Sequence, residues 1–127
     1  MKKIILLIAF TAFTLGLNAD IKYFRANSMN VSVDDESSGW LDSDVFISWN
    51  YDTHRVVINS NNKRIIDYEF AERKYDNGAI HLIYRGTDSG HIGMLLIYSV
   101  LPNGNKYISL TSTNELVMYR VVELGEN

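Results

Sequence analysis

The chain has 127 residues with 12 basic and 15 acidic side chains, a net charge of −3, and no cysteine. This length accommodates one domain, and the lack of a basic stripe argues against binding to nucleic acid or electrostatic docking on an anionic membrane. The lack of cysteine excludes disulfides, thiolate metal sites, thiol catalysis and a lipoprotein anchor.

The first nineteen residues have the pattern of a secretory signal peptide. Two lysines precede an apolar stretch from Ile4 to Leu17, and Ala19 is the small residue expected before the cleavage site. The apolar stretch is shorter than the roughly 20 residues that a membrane-spanning helix needs. We therefore predict that residues 1–19 are removed, which leaves residues 20–127 as a single all-β domain in the periplasm or outside the cell, without a membrane anchor.

Short alternating runs, separated by turn residues, follow the signal peptide and predict strands. Ile21 to Arg25 and Asn30 to Val33 form either one strand or two. Asp34 to Gly39 has the composition of an acidic, flexible loop. Val45 to Tyr51 alternates clearly, and Trp49 lies on its apolar face.

The middle of the chain carries the strongest local signal. Arg64 to Lys74 reads as a half-buried strand, and Ala79 to Arg85 as the next one. Asn77-Gly78 between them tolerates the positive φ angles of a type I′ turn and predicts a hairpin. The alternation puts Ile66, Tyr68 and Phe70 on one side of the first strand, and Asp67, Glu69 and Arg73 on the other.

The two last long strands are apolar on both faces, at Met94 to Val100 and Leu116 to Val122. Side chains that point away from the core then need a cover, because a contiguous exposed apolar patch usually marks a contact surface. The outward pair is either Leu95 and Ile97 or Leu96 and Tyr98. We expect either a second subunit, which would make a homodimer, or the N-terminal segment Ile21 to Arg25 to cover it.

Counting the runs predicts about eight short antiparallel strands joined by tight turns. Short turns connect antiparallel neighbours, so the simplest topology is an up-and-down meander. A meander of this size hides its edges by closing into a small barrel, which we favour, or by folding into a two-sheet β-sandwich. The layout resembles that of small exported lipocalin-like proteins, although only Ser38-Gly39-Trp40 approaches their Gly-x-Trp motif.

No constellation for catalysis, metal binding or a cofactor emerges from the sequence. The three histidines lack the spacing of a zinc site, and Asp88-Ser89-Gly90-His91 holds triad residue types on one loop, where they rarely converge. The acidic segment 34–44 could offer oxygen ligands to calcium, but it lacks the order of a known calcium loop. We therefore predict a protein that is not an enzyme and has no cofactor.

Aromatic side chains are the remaining candidates for a site. Inside a barrel, they would either fill the core or line a cavity for one small apolar or sugar-like ligand. The candidate ligand-binding residues are Trp49, Tyr68, Phe70 and Tyr84.

Two functions fit these observations. The first is an exported, non-enzymatic β-barrel that binds a small ligand in its interior or a protein partner on its surface. The second is a secreted inhibitor or accessory factor that acts on another protein through an exposed loop, either Asp34 to Asp44 or Thr87 to Ile92. The candidate partner-binding residues are Trp40, Leu95 and Ile97.

Overall fold

The computed structural model of the chain describes residues 21–88 and 92–124, which form eight strands. The strands are β1 (Ile21–Val33), β2 (Glu36–Asn50), β3 (Arg55–Asn59), β4 (Arg64–Asp76), β5 (Ala79–Asp88), β6 (Gly93–Val100), β7 (Lys106–Thr111) and β8 (Glu115–Glu123). The predicted signal peptide and its cleavage site lie outside the described residues. Within those residues, no helix is long and apolar enough to cross a membrane.

The strands form a closed barrel in sequence order. Each one pairs antiparallel with the next, and β8 returns to pair with β1, from Phe24 opposite Glu123 to Val33 opposite Glu115. Closure gives each edge strand of the meander a hydrogen-bonded neighbour. The predicted eight-stranded meander and its closure into a barrel are thus confirmed, and the sandwich alternative is wrong.

The interior of the barrel is filled by side chains from every second residue of each strand. Burying one large aliphatic or aromatic side chain in this way stabilises the fold by roughly 1.5 to 3 kcal/mol. The largest side chains that are fully buried are Trp49, Phe24, Ile47, Ile58, Ile66, Leu96, Ile108 and Val56.

The N-terminal hairpin differs from its prediction. The segment Ile21–Val33 is one continuous strand with register shifts, and the predicted acidic loop is a two-residue turn at Asp34 and Asp35, both with positive φ. Glu36 already begins β2, so Trp40 lies in a strand. The loop prediction failed because polar and acidic residues can occupy an exposed hairpin as easily as a loop.

The hairpin between β4 and β5 is confirmed. Asn77 and Gly78 have φ angles of 51° and 84°, which are the positive values that a type I′ turn requires. A register shift between Phe70 and Glu72 places one extra residue, Ala71, in β4. This β-bulge changes which side chains face inward beyond it.

Beyond the bulge, the alternation of β4 is reversed relative to the sequence prediction. Arg73 lies opposite Leu82 and Tyr75 lies opposite Ile80, and directly opposite residues in an antiparallel pair share a face. Because Leu82 packs against the core, Arg73 also lies on the inner side. Its predicted position on the outer face with the acidic side chains is therefore wrong.

Strand β6 shows how the two-faced strands are arranged. Leu96 is fully buried, whereas Leu95 is 41% exposed and points outward with Ile97. The segment Ile21–Arg25 cannot cover them, because it belongs to β1, between β2 and β8, and β6 pairs with β5 and β7. The N-terminal cover that the sequence suggested is therefore wrong.

Candidate functional site

One end of the barrel holds a cluster of aromatic side chains. It is the end at which β1 begins and the β4–β5 hairpin turns, and we call it the N-terminal mouth. The hairpin extends well beyond β3, because Asp67 of β4 already lies opposite Arg55, where β3 begins. On its inner face, Phe70 is 55% exposed and Tyr75 is 68% exposed.

The floor of this mouth is a cluster of aromatic rings centred on Trp49. The Trp49 ring lies 5.5 Å from Tyr68, 5.2 Å from Tyr84 and 6.0 Å from Tyr98, measured between centroids. Tilted and edge-on arrangements such as these add to the stabilisation from buried area. Phe70 packs edge-on against Tyr84 at 5.6 Å and connects the buried cluster to the exposed hairpin.

Hydrogen bonds hold the cluster to the turn between β2 and β3. The indole N–H of Trp49 donates to the Tyr68 hydroxyl at 2.8 Å, and that hydroxyl donates to the Asn50 carbonyl at 3.2 Å. The Asn50 side chain accepts from the backbone N–H groups of Asp52 and Thr53, which fixes the turn. The polar edges of the cluster are therefore held in place by a rigid turn.

Burial changes the acid strength of the tyrosines on this floor. Loss of hydration, together with smaller contributions from the nearby Glu123 carboxylate and from Tyr84, raises the pKa of Tyr98 to about 12. Burial likewise raises the pKa of Tyr84, while the positive charge of Arg73 opposes that shift. These hydroxyls stay protonated at neutral pH and can act as hydrogen-bond donors to a ligand.

Charged side chains surround the floor on the side formed by β1, β7 and β8. Lys22 lies opposite the buried Trp49, Glu123 opposite the buried Phe24, and Lys106 opposite Val121, so all three face inward. The Lys106 ammonium donates to Glu123 at 3.4 Å, and the Lys22 nitrogen lies 3.8 Å from the other carboxylate oxygen. Arg73 adds a third cation from the hairpin on the opposite side.

The four predicted ligand-binding residues come together at this mouth. Three of them, Trp49, Tyr68 and Tyr84, are buried and pack against one another to form the floor. Only Phe70 is largely exposed, on the hairpin wall. The structure therefore places the accessible aromatic surface at the end of the barrel.

The predicted partner-binding residues lie elsewhere, on the outer wall. Trp40 is 44% exposed, and the Arg120 guanidinium lies 5.2 Å from its ring centroid and 5.9 Å from that of Tyr107. The register connects Ile97 to Trp40 in one outer row through Ser109, Met118 and Asn30. Leu95 belongs to the next row. Trp40 of β2 lies four strands away from Leu95 and Ile97 of β6 in the eight-stranded order, on the opposite side of the barrel, so the structure does not bring the three predicted residues together.

Two large grooves lie away from the N-terminal mouth. One, of about 710 Å³, runs over the wall of β4, β5 and β6 near Gly86 and is bordered by charged residues such as Glu69 and Arg85. The other, of about 700 Å³, lies near the opposite end between Asp42, Asp44 and the turn after Asn59. Tyr68 of the aromatic floor borders the first groove, whereas Trp49, Phe70 and Tyr84 line neither groove.

Within residues 21–88 and 92–124, no group of three or more histidine, aspartate or glutamate side chains could hold a metal ion. His81 lies on the outer wall, where its Nδ1 is 2.7 Å from the Ser99 hydroxyl, and Ser99 is itself buried. His91, Ser89 and Gly90 lie outside the described residues.

The charged residues of the mouth are the part of the site that the sequence analysis missed. Lys22 lies two residues before the buried Phe24, and Lys106 and Glu123 likewise follow the inward-facing alternation of β7 and β8. The alternation of the sequence could therefore have predicted that these three residues face inward. The sequence does not indicate that Arg73 faces inward, because its position depends on the bulge at Ala71, which the alternation does not reveal.

No protein family, curated protein or solved structure gives a match to this chain.

Proposed function

We propose that this protein is an exported, non-enzymatic binding barrel that holds a small apolar or aromatic ligand at its N-terminal mouth. One observation carries the proposal: the inner face of the β4–β5 hairpin exposes Phe70, Tyr75 and Ile80, and Phe70 packs against Tyr84 of the buried aromatic floor. Large apolar side chains that face inward yet remain exposed are typical of a binding surface. Export rests on the signal-peptide pattern of residues 1–19.

The architecture supports a ligand at the end of the barrel. Eight strands enclose just enough space for side chains or one small molecule, and here Trp49 and its neighbours occupy the floor. A ligand would contact the exposed Phe70 ring and the edges of Tyr84 and Tyr98. The floor is rigid, because its rings pack against each other and Tyr68 bonds to the β2–β3 turn, so little ordering is needed on binding.

A titration with phenylnaphthylamine, a neutral aromatic dye, tests this proposal. Trp40→Phe leaves Trp49 as the single tryptophan, since the chain has two, so energy transfer from the indole to the dye reports binding near the floor. We expect saturable transfer. Phe70→Ser should weaken binding about tenfold, because it removes the exposed ring that packs against Tyr84 of the floor.

Phe46→Ser is the matched control. Phe46 is also a partly exposed phenylalanine, but it stacks on Tyr23 at the outer wall. Its loss should leave the dye affinity unchanged. No saturable transfer, or an equal loss of affinity in the two variants, would contradict a site at the mouth.

A protein partner on the outer wall is the second candidate function. It is favoured by the outer face of β6, where Leu95 is 41% exposed and Ile97 also points outward. Sedimentation velocity of the purified protein, compared with Ile97→Lys, tests whether this wall joins two copies. A dimer that the substitution dissociates supports it, and a monomer in both cases argues against self-association.

A further inference from the structure

The charged residues of the N-terminal mouth define the ligand more closely. Building on the proposed binding function, we infer that the ligand is an apolar or aromatic molecule that carries an anionic group, such as a carboxylate, sulfonate or phosphate. Lys22 and Lys106 would hold that group on one side of the mouth, with Arg73 on the hairpin opposite.

The charge of the mouth contrasts with that of the whole chain. The net charge of the sequence is −3. Among the described strand residues that face inward at this end, Lys22, Arg73 and Lys106 are cations, and Glu123 is the carboxylate that accompanies them. An acidic protein thus concentrates positive charge beside its exposed aromatic surface, which favours anions locally.

The single carboxylate does not satisfy the two lysines. Each ammonium has three donors. Among the described residues, Glu123 accepts a hydrogen bond from Lys106, whereas the Lys22 nitrogen is 3.8 Å from the other carboxylate oxygen. The Lys106 and Glu123 side chains are 32% and 25% exposed, so water screens them less than it would a surface pair. Donors therefore remain for an incoming oxyanion.

The aromatic floor lies close to the cluster formed by Lys22, Lys106 and Glu123. Phe24, which is opposite Glu123 in the register, packs against the Tyr98 ring at 5.6 Å between centroids. Burial raises the pKa of Tyr98, and the Glu123 carboxylate adds to that shift. One molecule can therefore place its ring against Phe70 and Tyr98 and its anionic group beside the lysines.

Two dyes that differ by one charged group test the inference. Anilinonaphthalene sulfonate has the ring system of phenylnaphthylamine with an added sulfonate. In the Trp40→Phe background, we expect the sulfonate dye to bind about tenfold more tightly than the neutral one, because a charge-assisted hydrogen bond contributes on this scale. Added salt should reduce that preference.

Single substitutions locate the anion. Lys22→Gln and Lys106→Gln should each remove most of the preference for the sulfonate dye, with the affinity for phenylnaphthylamine unchanged. Glu123→Gln should increase the preference several-fold, because it removes the competing carboxylate. The control is Lys74→Gln, which removes a cation from the outer face of the same hairpin, opposite His81, and should change neither affinity.

The outcomes separate the inference from the proposed function. Equal affinities for the two dyes at the mouth would overturn the anion preference and leave ligand binding intact. A preference that survives the double substitution of Lys22 and Lys106, or that Lys74→Gln reduces equally, would also overturn it. If neither dye accepts energy from Trp49, the proposed function fails and the inference fails with it.

Discussion

The indole N–H of Trp49 donates to the hydroxyl of Tyr68 at 2.8 Å, from the centre of the aromatic floor. Tyr68 in turn donates to the Asn50 carbonyl, and its backbone N–H donates to the His54 carbonyl at 3.0 Å. The floor and the β2–β3 turn are thus one bonded unit. This coupling keeps a polar indole satisfied inside an apolar interior.

Removing the Tyr68 hydroxyl should therefore destabilise the barrel. Tyr68→Phe leaves the Trp49 N–H without its partner in a buried site, which costs about 1 to 3 kcal/mol in the free energy of unfolding. Urea unfolding followed by circular dichroism measures this change. Tyr75→Phe is the control, because Tyr75 is exposed and its hydroxyl lies 3.4 Å from Arg73; a similar loss in both variants would contradict the account.

A second prediction concerns the close contact of two strands at Gly86. A Cβ atom at this position would lie 2.7 Å from Cγ2 of Ile66, which is fully buried. Gly86→Ala should therefore cost about 1 to 3 kcal/mol through overpacking. Gly93→Ala, whose Cβ would meet nothing within 4 Å, should change the urea midpoint little. Equal midpoints for the two variants would show that Ile66 moves freely.

The β4–β5 turn gives a third prediction. Gly78 has a φ of 84°, and a Cβ there would lie 3.1 Å from Cγ of Pro102 in the β6–β7 turn. Gly78→Ala should lower the stability by about 1 to 2 kcal/mol, from backbone strain and this contact. Gly104 has a similar φ, and a Cβ there would meet nothing within 4 Å. Gly104→Ala should therefore lower the stability less, as measured by thermal unfolding. A reversed order would exclude the Pro102 contact as a cause.

The buried tyrosine hydroxyls make stability depend on alkaline pH. The pKa of Tyr98 is about 12 in the folded protein, against about 10 in an unfolded chain. The unfolded state therefore loses its proton first, and the free energy of unfolding falls as the pH rises from about 10 to about 12. Tyr98→Phe should lose less stability across this range. Urea unfolding at several alkaline pH values tests this, and parallel curves for the two proteins would contradict it.

The sequence predicts the barrel because its local signals agree with one another. Alternation buries Val45, Ile47 and Trp49 as expected, and Asn77-Gly78 turns the chain where its backbone preference indicates. The acidic N-terminal hairpin was mistaken for a loop, because its exposed strands lack an apolar face. A polar and acidic composition indicates that a segment is exposed to solvent, and it does not by itself indicate that the backbone forms a loop.

The site was only partly predictable. The four aromatic residues were found because large apolar side chains follow the strand period. The accessible surface of the mouth was not predicted. It depends on how far β4 extends past β3 and on the bulge at Ala71, which turns Arg73 and Tyr75 inward. Such features arise from strand register and tertiary packing, and the period of the sequence does not record them.

Backbone amide chemical shifts of the protein during a phenylnaphthylamine titration test the central claim most directly, because they compare all the candidate surfaces in one experiment. We expect the shift changes to cluster around Phe70, Leu82 and Tyr98 and to saturate. Changes centred instead on the groove beside Gly86, or on the opposite end near Asp42, would contradict a binding site at the N-terminal mouth.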